Sequence, residues 1–290
     1  MEKCSLNAPM TLSYAETSHE SAGEYHLHYH EAGTGSPLLL LHGSGPGVSG
    51  WSNFSENLPV FAEQFRTLCL DMPGFGASPP VVWRRVYSQV AADAVRSFLD
   101  IMDIESVDII GNSMGGNVAT EFALAHPDRV RRLVLMGPGG LAVNTLSPPV
   151  SEGARRLFEF LSDPRRERMV AWVETMVSDP ALVTDALIDE RMANALKPNV
   201  VDITTSIFAT FGNPELETSS PLWARAKDLQ HRTLIIWGRD DRMLPFEGGL
   251  FPFRQMPNAE LHVFSNCGHW AQVERKNDFE RVVLEFLCRP

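Results

Sequence analysis

The chain has 290 residues, enough for one large domain or two small ones, and its 44% hydrophobic and 21% charged content is that of an ordinary globular protein. Its 36 acidic against 25 basic side chains leave a net charge of −11, which argues against nucleic acid or an anionic membrane as partner, since both need clustered Lys and Arg. The amino-terminal MEKCSLNAPM has no apolar signal core, no apolar run approaches the roughly 18 residues that span a bilayer, and Cys4, Cys69, Cys267 and Cys288 lack CxxC spacing, so a cytoplasmic protein with reduced thiols and no metal or cofactor is expected.

In chain order, Tyr25 to Glu31 alternates as a strand does and ends at Ala32-Gly33. Pro37-Leu-Leu-Leu-Leu41 is a continuous apolar run, the mark of a strand buried on both faces, and it opens into Leu41-His-Gly-Ser-Gly-Pro-Gly47. Phe65 to Leu70 is another such run, closed by Asp71-Met-Pro-Gly-Phe-Gly76. Ser88 to Met102 has helical periodicity. Val107-Asp-Ile-Ile110 reads as a strand running into Gly111-Asn-Ser-Met-Gly115, and Asn117 to His126 has helical spacing before Pro127. Val130 to Met136 is a further strand, closed by Gly137-Pro-Gly-Gly140. Strands alternating with helices predict an α/β fold whose mostly parallel central sheet carries helices on both faces.

From 141 to 222 the strand runs vanish. Helical patterns follow one another at Glu152–Leu161, Arg166–Val177 and Leu182–Leu196. This predicts a helical lid inserted over the carboxyl ends of the strands, where open sheets bind ligands. Strands resume at Thr233–Trp237 and Glu260–Phe264, and a helix from Asn277 to Leu287 closes the chain. Residues 1–140 and 223–290 would then form the core.

Gly111-Asn-Ser-Met-Gly115 is G-x-S-x-G between a strand and a helix, the sharp turn that exposes a serine hydroxyl. A hydroxyl is a weak nucleophile and needs a base, itself held by a third group. His269, in a Gly-His-Trp turn after a strand, is the candidate base. The carboxylate is Asp240 or Asp241; Gly238, Asp241 and Pro245 fit a G-x-x-D-x-x-x-P loop, which favours Asp241. Ser, Asp, His is the chain order of the α/β-hydrolase fold. The Gly-rich loop after Leu41 and the amide of Met114 are placed to hold a developing oxyanion. Gly45 to Gly50 also spells G-x-G-x-x-G, with Asp71 at the distance of a ribose-binding acid, but a dinucleotide site leaves Ser113, Asp241 and His269 unexplained.

His28-Tyr-His-Glu-Ala-Gly33, HGSGPG followed by Gly50-Trp-Ser-Asn53, GNSMGG, LMGPGGL at Leu135–Leu141, WGRDDR and LHVFSNCGHWAQ together resemble the meta-cleavage-product hydrolases. The resemblance runs from about residue 20 to the end. It implies cleavage of the C5–C6 bond of a 2-hydroxy-6-oxo-hexa-2,4-dienoate after enol–keto tautomerisation. It also implies Ser113 as nucleophile, His269 as acid–base, Asp241 as its orienting group, and the amides of Ser44 and Met114 as oxyanion donors. Gly43, Gly45, Asn53, Asn112 and Trp270 match the family's dienoate contacts, and Arg191 matches the arginine that holds the substrate carboxylate. The family usually has glycine where Ser44 stands. Met176 and Met243 fall at positions that line the acyl pocket, while Asn144 and Pro148-Pro149 lean toward a larger C6 substituent. A homo-oligomer is implied as well. The alternative is a carboxylic ester hydrolase with the same triad.

Overall fold

The computed structural model describes residues 12–143, 150–217 and 219–289; the amino-terminal segment read for a signal core, Cys4, Asn144 and Pro148-Pro149 lie outside them. Among the described residues eight strands form one sheet: β1 (Ser18–Glu20), β2 (His28–Ala32), β3 (Ser36–Leu41), β4 (Phe65–Leu70), β5 (Val107–Asn112), β6 (Val130–Met136), β7 (Arg232–Gly238) and β8 (Ala259–Phe264). Their order is β1-β2-β4-β3-β5-β6-β7-β8. β2 runs antiparallel to β1 and to β4, and every other pair is parallel. The first strand, read from Tyr25, begins three residues later at His28, and β1 carried too short a pattern to be read at all.

The Leu38–Leu41 run follows from this order. β3 lies between β4 and β5, so both faces are covered and all four leucines are fully buried. Alternation sends Leu39 and Leu41 toward the helices Tyr87–Ile101 and Met114–Ala125, where Phe98, Val118 and Phe122 wait. Leu38 and Leu40 face the other way, among Phe54, Phe61, Phe279 and Phe286. Each buried leucine stabilises the fold by about 1.5–3 kcal/mol.

Between β6 and β7 the described residues form helices and no strand: Glu152–Ser162, Arg166–Val173, Asp185–Ala195 and Val200–Phe208. The pattern read as helix through Val177 stops at Val173. Beyond it the carbonyls leave the helix ladder: Met176 O accepts from the His269 amide at 2.8 Å, and Glu174 O accepts from the Arg242 guanidinium. The pattern from Leu182 splits at Thr184, whose side chain caps the next helix by accepting from Leu187 N at 3.2 Å. The helix Val200–Phe208 is masked in sequence by β-branched residues of modest helix propensity. The insertion has its own core of Leu157, Phe160, Met169, Trp172 and Ile188, completed by Met243 and Trp270 from loops of the sheet domain. That shared core seats the helices over the carboxyl ends of the strands.

Candidate active site

Five neighbouring strands, β3, β5, β6, β7 and β8, deliver their carboxyl-end loops to one place. After Asn112 at the end of β5 the chain turns at Ser113, whose φ of 53° and ψ of −112° lie outside the regions favoured by side-chain-bearing residues. Such a conformation costs on the order of 1–3 kcal/mol and survives only when surroundings fix it. Here the Ser113 amide donates to Met136 O at 2.8 Å, and its carbonyl accepts from Gly139 N at 2.8 Å and Asn117 N at 3.1 Å. The flanking glycines are there for space. A Cβ on Gly111 would lie 2.5 Å from Gly115 O, and one on Gly115 would collide with Leu41 O. Met114 opens the helix that follows, at the position whose N–H has no intrahelical acceptor.

His269 Nδ1 lies 2.7 Å from Asp241 Oδ2. Asp241 Oδ1 accepts from the amides of Met243 and Leu244, both at 2.8 Å, so the carboxylate is locked from two sides. Asp240 stands apart, half-exposed and bound to Arg239 and Ser178. Gly137, where β6 ends, packs directly on the pair: a Cβ there would be 3.3 Å from Asp241 Oδ2 and from His269 Nδ1. Behind the histidine, the half-buried carboxylate of Glu274 accepts from Gly268 N and Ser178 N, both at 2.6 Å, and ties the histidine loop to the insertion. Burial raises the Glu274 carboxyl above its ordinary value, against those amide bonds.

Ser113 and His269 line one small cavity of about 10 Å³ with Gly43, Ser44, Asn53, Asn112, Arg191 and Trp270. Its walls also include Val48, Met176 and Trp172. Gly43 is fixed by crowding, since a Cβ would come within 2.8 Å of Asn112 Oδ1, and its amide donates to Asn53 Oδ1 at 3.4 Å. Gly45 lies outside the cavity wall, pressed against the Trp172 ring, where a Cβ would meet the ring at 2.5 Å. Met243 also lies outside it, packed on Gly153. Sequence reasoning missed Trp172, Val48 and Gly137. Trp172 sits in a helical pattern where an aromatic signals core, and Gly137 gives no cue to what its missing side chain faces.

The polarity of the cavity is unbalanced. Asn112 Nδ2, Trp172 Nε1, Arg191 Nε and His269 Nε2 are all buried without a hydrogen-bond partner among the described residues. Arg191 lies 4.4 Å over the Trp270 ring and 6.0 Å from that of Trp172. Burial pushes its guanidinium down to about 10, with Glu190 acting the other way, so it is cationic at neutral pH. Arg155 and Arg165, by contrast, pair with Glu159 and Asp163 on the surface.

The G-x-G-x-x-G segment is committed elsewhere. The Gly50 amide donates to Asp71 Oδ1 at 2.7 Å, and Asp71 Oδ2 takes His28 Nδ1 at 2.8 Å and Ala77 N at 3.0 Å. Burial alone would raise the Asp71 carboxyl, but the His28 bond, the nearby His42 and these amides hold it below its ordinary value. Asp71 is a turn-building residue with no group left for a ribose.

A mostly parallel sheet with an acid–histidine pair and a serine turn at its carboxyl edge defines an α/β hydrolase, and the family model described as alpha/beta hydrolase fold matches residues 36–276. The 2-hydroxy-6-oxononadienedioate/2-hydroxy-6-oxononatrienedioate hydrolase of Paraburkholderia xenovorans (strain LB400) is 41% identical over 273 residues, 93% of each chain. The 2-hydroxy-6-oxo-6-phenylhexa-2,4-dienoate hydrolase of Burkholderia cepacia is 36% identical over 284 residues, 98% of each chain. Among solved structures, a mutant meta-cleavage product hydrolase from Pseudomonas fluorescens IP01, complexed with acetates, superposes with a TM-score of 0.83 at 32% identity, covering 94% of this chain and 98% of its own. The chain belongs to the meta-cleavage-product hydrolases of the α/β-hydrolase fold.

Proposed function

We propose that the protein hydrolyses the C5–C6 bond of a 2-hydroxy-6-oxo-hexa-2,4-dienoate, giving 2-hydroxypenta-2,4-dienoate and a carboxylic acid. The observation that carries this is Arg191, whose Nε has no hydrogen-bond partner among the described residues, facing the same cavity as Ser113 and His269. A half-buried guanidinium whose buried Nε is left unsatisfied among the described residues suits an anion in the cavity. The names of the relatives fit, since each is a hydrolase of a dienoate that carries a carboxylate. The structure complexed with acetates belongs to the same family.

In this reading Arg191 takes the C1 carboxylate, and Asn53, Asn112 and Trp270 border the dienoate. The enol gives up its 2-hydroxyl proton while C5 gains one. His269, oriented by Asp241, then removes the Ser113 proton as the oxygen adds to C6. The oxyanion is held by the amides of Ser44 and Met114, each donor worth about 2.7–4 kcal/mol. A backbone donor survives the exchange of glycine for Ser44. C5–C6 cleavage leaves the electron pair on the dienoate fragment and the acyl group on Ser113, from which water releases the acid. Residues 141–222 act as the lid over a core of 1–140 and 223–290. The three described cysteines are free thiols, in keeping with the cytoplasm, and the active species is a homo-oligomer.

The test is the visible absorbance of the phenyl-substituted ring-fission product mixed with enzyme. Rapid bleaching that drops by about 10³-fold or more in Ser113→Ala is expected. Hydrolysis of a simple aryl ester with no bleaching of any ring-fission product would replace this reading with an esterase.

A further inference from the structure

His42 is fully buried and takes no part in the chemistry assigned to Ser113, Asp241 and His269. It follows the last residue of β3 and opens the loop that passes over the nucleophile, where a Cβ on Gly43 would lie 3.5 Å from the Ser113 Cβ. Both of its ring nitrogens are engaged. The amide of Met72, in the loop after β4, donates to Nε2 at 3.0 Å. The ring proton therefore sits on Nδ1, which donates to Gly43 O at 2.6 Å. Burial pushes the imidazole below its ordinary value, against the pull of the Asp71 carboxylate and of the Gly43 bond, so the ring is neutral at neutral pH. The Phe75 ring packs edge-on against it at 5.1 Å.

The carbonyl that His42 holds belongs to the peptide whose N–H is that of Ser44. Among the described residues no peptide is cis, so this C=O and N–H point in opposite directions. With the carbonyl tied to the buried ring, the N–H faces away from it, and the Ser44 amide has no acceptor among the described residues. Ser44 itself is half-exposed and lines the cavity of Ser113 and His269. We propose that His42 is a positioning residue for catalysis. The relay from Met72 N–H through the imidazole to Gly43 C=O fixes the Gly43–Ser44 peptide, so that the Ser44 N–H meets the oxyanion formed when Ser113 adds to a carbonyl. The proposal rests on the reading of Ser113 as nucleophile and of the Ser44 amide as oxyanion donor, and it holds for an ester as for a dienoate. The ring keeps its proton throughout. A hydrogen bond to the carbonyl polarises the peptide and strengthens its N–H as a donor. A donor aimed before the charge appears needs no reorganisation when it does. Because the oxyanion exists only beyond the ground state, the effect falls on kcat rather than KM.

The test uses two substitutions that each copy one ring nitrogen. In His42→Gln the amide oxygen reaches the place of Nε2 and accepts from Met72 N, while the bond to Gly43 O is lost. In His42→Asn the amide nitrogen takes the place of Nδ1 and donates to Gly43 O, while the Met72 amide is orphaned. Both are assayed for kcat and KM on the phenyl-substituted ring-fission product and on p-nitrophenyl acetate, and for Tm. H42Q should lose about 10²-fold in kcat on both substrates, with KM within about threefold and Tm within about 2 °C of the parent. H42N should restore kcat to within about fivefold of the parent yet melt about 2–6 °C lower. A merely structural histidine would lower activity only in step with Tm. Parent-like kcat in H42Q on both substrates, or H42N as slow as H42Q, would overturn the proposal. The crossed pattern on the ester, in a protein that bleaches no ring-fission product, would sink the dienoate hydrolysis and leave the role of His42 standing.

Discussion

Arg191 carries a charge that the folded protein pays to hold. Burial lowers its guanidinium to about 10, so the unfolded chain keeps the proton more tightly than the fold does. The charge therefore destabilises the free protein at neutral pH, and the cost is relieved as pH rises through about 10. Arg191→Met should raise Tm by a few degrees, in line with about 1 kcal/mol, while lowering kcat/KM for the dienoate by about 10²-fold or more. For the parent, KM should climb as pH passes about 10, where the cation is lost. A variant that lost stability along with affinity would show that Arg191 is held by contacts that favour the fold. The motifs name Ser113, Asp241 and His269 because their chemistry sits in local patterns. They do not name Trp172 or Gly137, whose importance is only what each faces.

At the scale of elements, Glu274 is the staple. Its carboxylate takes the amides of Gly268, beside His269, and of Ser178 in the insertion, at 2.6 Å each. Glu274→Ala would orphan both donors at about 1–3 kcal/mol each, the Ser178 amide at the lower end because it is only half-buried, so a loss of about 2–4 kcal/mol in thermal unfolding is expected, with a fall in kcat as the histidine loop loosens. The pH dependence has a definite sign. Burial raises the folded value above 4.5, so the fold holds a proton that the unfolded chain releases. That contribution is complete below 4.5 and is lost as pH rises through the raised folded value. Glu274→Gln cannot titrate and should lack this decline; parallel stability curves for the two proteins would refute it. Strand positions were legible because two-sided burial leaves unbroken apolar runs, as at Leu38–Leu41 and Phe65–Leu70. Helix ends in the insertion were not, because Val173 ends where Arg242 and His269 claim the next carbonyls from far along the chain.

Over the whole molecule, Trp172 and Arg191 of the insertion wall the cavity at Ser113, so the insertion is expected to shift as substrate enters. Amides of the helix Arg166–Val173, which carries Trp172 into the cavity wall, should exchange faster than those of β5 and slow when Ser113→Ala binds the phenyl-substituted ring-fission product. Equal protection with and without ligand would mean that substrate enters through a rigid insertion. The sequence by itself determined the α/β alternation, the parallel core and the strained serine turn, because burial periodicity and steric need for glycine act over a few neighbouring residues. Only the tertiary structure decided that Arg191 faces the cavity of Ser113 and His269 with its Nε unsatisfied among the described residues, and that Trp172 forms part of the cavity wall. Those facts depend on segments about eighty residues apart meeting in space, and the electrostatic balance of a site belongs to the assembled neighbours rather than to any stretch of chain.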